Sequence, residues 1–111
     1  MILDDLKKKL VEYYKAGETL KVSVLRYFFS QVQNKEIELR PQNKELTDED
    51  VFKVLRKQIK NRKEAIELYE KAGRTDMLEK EKAELAIYEE LAKFFPFDLN
   101  LTPPVQFQKK S

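Results

Sequence analysis

The sequence predicts an all-α protein, and three observations lead to this prediction. The 111 residues include only two glycines and 38% are charged, which is typical of long helices with solvated outer faces. Apolar residues make up 41%, enough for one core in a chain of single-domain size. Apolar side chains also recur every three or four residues in four separate stretches, as along one face of an amphipathic helix. We therefore expect four helices around one core.

Two helices are predicted in the first part of the chain, over residues 2–16 and 18–39. The first carries its apolar stripe on Leu3, Leu6, Leu10 and Tyr14, and the second on Leu20, Val24, Leu25, Phe28, Phe29, Val32 and Leu39. Gly17 stands between them, where a helix commonly ends in a left-handed residue. The second helix ends at Arg40-Pro41, because the residue before a proline disfavours the helical region.

Two more helices are predicted over residues 48–72 and 76–94. Thr47 is a suitable cap for the third helix, and three carboxylates follow it near the positive end of the helix dipole. A capping box would more usually carry Glu or Gln where this chain has Asp50. The third helix has its stripe on Val51, Leu55, Ile59, Ile66 and Tyr69, and the fourth on Leu78, Leu85, Tyr88, Ala92 and Phe95. Gly73 ends the third helix, and Pro96 ends the fourth.

These helices define a domain over residues 1–96, and residues 97–111 follow it as an extended tail. Pro103-Pro104 and the polar end of the tail do not fit a further helix, and we expect Phe97 and Leu99 to lie on the bundle. No apolar run approaches the ~20 residues that span a bilayer, and the N-terminus lacks the pattern of a signal peptide. We therefore expect a cytoplasmic protein without membrane contact.

Several kinds of chemistry are excluded by residue types that the chain lacks. Without cysteine there is no disulfide, no thiolate zinc site and no cysteine nucleophile. Without histidine there is no hydrolytic triad, and the usual anchor of a catalytic metal is missing. Ser23 and Ser30 fall inside a predicted helix, and the five tyrosines recur at a spacing typical of a core. We expect no cofactor, no metal and no catalytic activity of the chain's own.

Positive charge is concentrated in the first part of the chain. Residues 1–63 carry 15 basic and 10 acidic side chains, whereas the remaining residues are acidic overall. On a helical wheel of the third helix, five basic residues lie opposite the apolar stripe. We call them the basic face: Lys53, Arg56, Lys57, Lys60 and Lys63. Like charges at this spacing repel each other by a few tenths of a kcal/mol per pair, and an anionic partner would turn that repulsion into attraction.

Structured RNA is the partner that the basic face fits best, because lysine and arginine neutralise its phosphates. Readers of single strands interleave aromatic side chains for base stacking, and the basic face has none. Recognition of the RNA backbone or shape is therefore expected. A membrane surface fits less well, because the opposite side of the helix is needed for the core. The alternative is a basic face that has no partner and only stays solvated.

Three charged residues fall on the apolar side of their predicted helices. Arg62 lies within the apolar arc of the third helix, and Glu81 and Glu84 lie within that of the fourth. Because an unpaired buried ion costs several kcal/mol, we expect Arg62 to meet Glu81 or Glu84. The pair would fix the register of the two helices, or it would form a polar pocket for a ligand. A di-metal carboxylate site is excluded, since it needs helical histidines.

Several consecutive blocks of the sequence resemble the GatB/YqeY proteins over nearly all of residues 2–96. These blocks are Lys15-Ala16-Gly17, Val24-Leu25-Arg26, Asn34-Lys35-Glu36-Ile37-Glu38, Leu46-Thr47-Asp48-Glu49-Asp50-Val51, Gln58-Ile59-Lys60-Asn61-Arg62-Lys63-Glu64-Ala65-Ile66-Glu67 and Tyr69-Glu70-Lys71-Ala72-Gly73-Arg74-Thr75-Asp76, followed by Glu81 and Glu84. The chain departs from the family where Phe94-Phe95-Pro96 replaces the usual Tyr-Leu-Pro. Members of the family typically continue into a second, smaller helical subdomain, which we expect this chain to lack.

The resemblance implies an all-α domain that occurs alone and also as the C-terminal tail of the B subunit of the glutamine-dependent tRNA amidotransferase. In that enzyme the tail resembles a tRNA-binding arm, while other domains perform the transamidation. The resemblance therefore implies tRNA as the partner, and it adds Arg26 and Arg74, which match family blocks, to the candidate RNA contacts.

The resemblance also implies a family label, carbon–nitrogen ligase activity with glutamine as amido donor. This label would apply by analogy only, because no residue of the chain is suited to catalyse the reaction. The alternative function is a protein-interaction module that docks on an amidotransferase subunit or another partner without RNA contact.

Overall fold

The computed structural model describes residues 1–97, which form a bundle of four helices. Helix α1 spans Ile2–Lys15, α2 spans Thr19–Leu39, α3 spans Asp48–Ala72 and α4 spans Thr75–Ala92. A short 3-10 helix, Arg40–Gln42, follows α2 at the predicted interruption. The all-α prediction is confirmed, and each helix ends within two residues of its predicted boundary. Leu99 and most of the predicted tail lie outside the described residues.

Helices α2 and α3 are central to the bundle, because each of them contacts the other three helices. Helices α3 and α4 form the most extensive pair. The most deeply buried side chains come from all four helices: Leu6, Leu25, Phe28, Val51, Leu55, Tyr88 and Leu91. Phe28 of α2 meets Tyr88 of α4 edge-on, with the ring centroids 6.4 Å apart. One continuous core therefore joins the helices.

Local sequence determines where α1 ends and where α3 begins and ends. Gly17 and Gly73 have φ angles of +73° and +67°, the left-handed conformation in which glycine avoids the strain of a Cβ atom. At the start of α3, the backbone N–H of Asp50 donates to Thr47 Oγ1 at 3.2 Å, and the backbone N–H of Thr47 donates to Asp50 Oδ2 at 3.0 Å. Aspartate therefore completes this capping box in place of the usual glutamate.

The prediction that the apolar stripes face the core is wrong for two residues. Tyr14 is 68% exposed, whereas its neighbour Tyr13 is buried. Positions 13 and 14 lie about 50° on either side of the α1 stripe, so the neighbouring helices decide between them. Leu20 is also exposed. A row of residues four apart drifts by about 40° at each step, so Leu20 lies about 80° away from Phe28 and misses the core.

An aromatic cluster covers the end of the bundle that follows α4. Phe52, which the predicted stripe of α3 omits, is buried there. Its ring centroid lies 5.3 Å from that of Phe95 and 5.1 Å from that of Phe97. Phe97 therefore packs on the bundle as expected, and these contacts hold the chain against α3 after Pro96 has ended the helical pattern.

The capping box gives a direct test of how α3 begins. Thr47→Ala removes the side-chain acceptor of the Asp50 backbone N–H, and we expect the free energy of unfolding to fall by about 1 kcal/mol. Urea denaturation followed by circular dichroism measures the change. Thr47→Ser keeps the hydroxyl, so its free energy of unfolding should fall much less. An equal decrease in both variants would contradict the role of the cap.

Candidate nucleic-acid interface

The basic face lies along the outer side of α3. Lys53, Lys57, Lys60 and Lys63 are exposed, and Arg56 is half-buried. From the first to the last of these residues α3 rises by about 15 Å, at ~1.5 Å per residue. A duplex carries one phosphate every ~3.4 Å along each strand, so the face matches the length of about four phosphates.

The charges of the basic face are not neutralised within the bundle. Among residues 1–97, none of the five basic side chains forms an ion pair. Elsewhere on the surface, Lys9, Lys21, Lys35 and Arg40 each pair with a glutamate three or four residues away in the chain, whereas other lysines of the described residues, such as Lys7 and Lys8, are unpaired. Residues 51–63 contain no acidic side chain, although Glu64 and Glu67 follow Lys60 and Lys63 by four residues. The repulsion within the basic face is therefore not offset by an ion pair in the described residues.

The two arginines added by the family resemblance lie apart from the basic face. Arg26 of α2 is exposed and lines a groove between α1 and α2 together with Tyr14 and Val22. Arg74 lies in the turn between α3 and α4, where its Nε is 3.6 Å from Asp76 Oδ1. The structure therefore does not gather all seven candidate RNA contacts on one surface.

A second groove runs along one edge of the basic face, between α2 and α3. Its volume is about 410 Å³. Lys53 and Lys57 line it from α3, and Gln31, Asn34 and Lys35 line it from α2. Glu38 of α2 lines it as well. Three of its side chains are therefore cationic and one is anionic, and two of the cations belong to the basic face.

Gln58 is the most buried residue of the groove between α2 and α3, with 3% of its surface exposed. Within the described part of the chain, its Oε1 is buried and has no hydrogen-bond donor. The sequence prediction missed this residue as a site. A signal was present, because Gln58 follows Val51 by seven residues, or about two helical turns, and therefore lies on the buried side of α3.

Arg62 lies between Glu81 and Glu84 at the contact of α3 with α4. Its Nη1 donates to Glu84 Oε1 at 2.9 Å. Its Nε is 3.2 Å from Glu81 Oε1, close enough for an ion pair, although the two atoms are not aligned as a hydrogen bond. The three side chains are 19%, 13% and 15% exposed, in that order. This geometry fits a partly buried ion pair that sets the register of the two helices.

Tyr88 of α4 is 1% exposed, and the charges of this ion pair influence its pKa. Burial raises the pKa of the Tyr88 hydroxyl to about 12 from an ordinary value of 10.0. The positive charge of Arg62 acts in the opposite direction, and the negative charge of Glu84 adds to the rise. The neutral phenol is therefore the form that the core accommodates.

The sequence prediction also missed a polar contact that joins three helices. The hydroxyl of Tyr13 in α1 donates to Glu90 Oε1 of α4 at 3.1 Å. Lys21 Nζ of α2 lies 3.7 Å from the same oxygen and 5.1 Å from the centroid of the Tyr13 ring. Burial and Glu90 together raise the pKa of Tyr13. No pattern within a single helix could have indicated this contact, because each residue comes from a different helix.

Residues 1–97 contain no group of three or more acidic side chains placed to hold a metal ion. In the same part of the chain, none of the helices has both the length and the apolar character needed to cross a bilayer.

Comparison with known proteins identifies the family. The family model described as Yqey-like protein matches residues 3–102, which is most of the chain. The chain belongs to the YqeY-like family. It is also 36% identical over 91 residues to the uncharacterized protein C22F3.15 of Schizosaccharomyces pombe, an alignment that covers 82% of this chain and 69% of that relative. The predicted resemblance is thus confirmed, and every sequence block on which it depends lies within the range that the YqeY-like model matches.

The ion pair between α3 and α4 gives a test of stability in this YqeY-like chain. Arg62→Met leaves two partly buried carboxylates without their cation, and we expect the free energy of unfolding to fall by about 2–4 kcal/mol. The Arg62→Met, Glu81→Gln, Glu84→Gln variant should recover most of this loss, since the uncompensated charge is gone. Lys63→Met, an exposed neighbour, is the control and should change stability by less than about 0.5 kcal/mol. An equal loss in both single variants would contradict the assignment.

The raised pKa of Tyr88 predicts how stability depends on pH. Because the folded protein holds this proton more tightly than the unfolded chain, its contribution is complete below about pH 10 and is lost between about pH 10 and 12. The shift corresponds to about 2–3 kcal/mol. Urea denaturation across this pH window should show that the free energy of unfolding declines less in Tyr88→Phe than in the wild type. Tyr14→Phe changes an exposed hydroxyl and should follow the wild type.

Proposed function

We propose that this YqeY-like chain is an accessory module that binds tRNA, or RNA of similar structure, through the basic face. One observation carries the proposal: five cationic side chains occupy about 15 Å of α3, and none is ion-paired in residues 1–97. The inner side of α3 is held in the core, so the backbone positions from which these side chains project have a fixed direction and spacing. A row of cations on a rigid helix is suited to a regular row of phosphates.

The proposed role of the bound RNA is positioning. The basic face lacks aromatic side chains on which bases could stack, so it would contact the backbone and leave the bases free. The tail of the amidotransferase B subunit, which the chain resembles, supplies the model: this module would hold a tRNA while a separate enzyme acts on it. The chain itself would not catalyse the amidotransferase reaction.

Charge reversal on the basic face tests this function. In Lys57→Glu with Lys60→Glu, affinity for a tRNA transcript should fall at least about tenfold, because two attractions become repulsions. The slope of log K against log salt concentration should also become shallower by about two. Fluorescence anisotropy at several potassium chloride concentrations measures both quantities, and circular dichroism verifies that the variant is folded.

A matched pair of substitutions separates a specific face from net charge. Lys7→Glu with Lys8→Glu changes the net charge by the same amount on exposed residues of α1. We expect this variant to lose less than about threefold in affinity, since only the screened, long-range field is changed. If both pairs weaken tRNA binding equally, or neither does, the basic face is not the binding surface.

A protein partner is a second candidate, and the groove between α1 and α2 favours it. Tyr14, which is 68% exposed, lines this groove of about 420 Å³ beside Arg26. Tyrosine and arginine are the residue types most enriched at binding hot spots. If an amidotransferase subunit docks here, Tyr14→Ser should abolish its co-purification with the chain while tRNA affinity stays unchanged. Retained co-purification would exclude this groove as the docking surface.

A further inference from the structure

The groove between α2 and α3 contains a polar atom that the fold leaves unsatisfied. Oε1 of Gln58 is buried and has no donor within residues 1–97. A buried acceptor without a donor is unfavourable, and an apolar side chain of the same shape would avoid that penalty. Gln58 lines a groove that a ligand can enter, so a donor supplied by the ligand would satisfy Oε1 once the amide has rotated towards the groove.

The charges around Gln58 indicate what kind of ligand supplies this donor. Lys53 and Lys57 line the same groove, and neither is ion-paired in the described region. Lys35 and Glu38 line it from α2, and they neutralise each other, since Lys35 Nζ is 3.3 Å from Glu38 Oε1. The groove therefore suits an anionic group at its α3 edge, next to a hydrogen-bond donor at its deepest residue.

The RNA backbone combines these two features. Its phosphate oxygens are anionic and only accept hydrogen bonds, whereas the ribose 2′-hydroxyl can donate one. The DNA backbone has no such donor. The bases carry donors as well, but a protein that contacts only the backbone does not use them. An acceptor beside two unpaired lysines is therefore the arrangement expected where a protein distinguishes RNA from DNA.

We propose that the groove between α2 and α3 binds one ribose-phosphate unit of RNA, with Gln58 Oε1 accepting a hydrogen bond from its 2′-hydroxyl and Lys53 and Lys57 contacting the adjacent phosphates. This proposal rests on the proposed function, since it names a contact within the same RNA site. The terminal amide torsion of glutamine is broad and roughly two-fold. Rotation about it turns Oε1 towards the groove and the amide nitrogen towards the position that Oε1 leaves. In residues 1–97 no hydrogen bond to Oε1 has to be broken for this exchange.

A short RNA hairpin and its 2′-fluoro counterpart test the contact on the unmodified protein. Fluorine keeps the A-form sugar pucker but removes the donor. The wild-type chain should bind the hydroxyl form about three- to tenfold more tightly, the size of one hydrogen bond. Gln58→Met retains the side-chain length without the acceptor, and it should bind both hairpins equally. Gln33→Met, which changes an exposed amide outside this groove, should keep the wild-type ratio.

The outcomes separate this proposal from the function on which it rests. Equal affinity of the wild type for both hairpins, or an unchanged preference in Gln58→Met, overturns the role of Gln58 while leaving RNA binding intact. Lys57→Glu should weaken both hairpins and preserve their ratio. If neither hairpin binds the wild type, or if Lys57→Glu with Lys60→Glu leaves affinity unchanged, the proposed function fails, and the 2′-hydroxyl contact fails with it.

The thermal stability of the free protein gives a second readout that does not depend on RNA. Gln58→Met removes an unsatisfied buried acceptor, so its melting temperature should equal or exceed that of the wild type. A large decrease would show that Gln58 is a satisfied structural residue and would overturn the proposal.

Discussion

Burial of the inner side of α3 is the constraint on which the rest of the structure depends. Val51 and Leu55 are fully buried, and Ile59 nearly so, against a core to which α2 and α4 also contribute. This burial fixes the rotation of α3 about its own axis, because a helix of this amphipathic pattern has only one side to offer the core. The direction of the lysines on the opposite side follows, as does the position of the groove beside them.

Two polar side chains on the buried side of α3 differ in whether they have polar partners within the bundle. Arg62 has two carboxylate neighbours from α4 and is accounted for within the bundle. Gln58, one helical turn earlier, has an amide oxygen without a donor in the part of the chain that the structure describes. A partly buried ion pair of this kind favours one register of packed helices. An unsatisfied acceptor contributes nothing to the stability of the free protein, and for that reason we assign it to a ligand.

The basic face differs from the rest of the surface in the clustering of its charges, because unpaired lysines such as Lys7, Lys8 and Lys15 also occur elsewhere in residues 1–97. Other lysines and arginines on α1, α2 and the 3-10 helix have glutamates one turn away. The α3 cations have none within residues 51–63, and the repulsion among them lowers stability slightly. The charges therefore call for an explanation outside the bundle, and an RNA backbone is the one we propose.

The sequence by itself determined the four helices, their ends at Gly17 and Gly73, and which residues form the basic face, because periodicity, caps and glycine conformations are local properties. The sequence also predicted the contact of Arg62 with Glu81 or Glu84, because charged side chains on the apolar sides of neighbouring helices are stabilised only when they pair. Only the tertiary structure decided that Tyr13 and not Tyr14 is buried, and that Gln58 lines a groove with Lys53 and Lys57. These outcomes depend on which helix packs against which side, and that relation is absent from the pattern of any single helix.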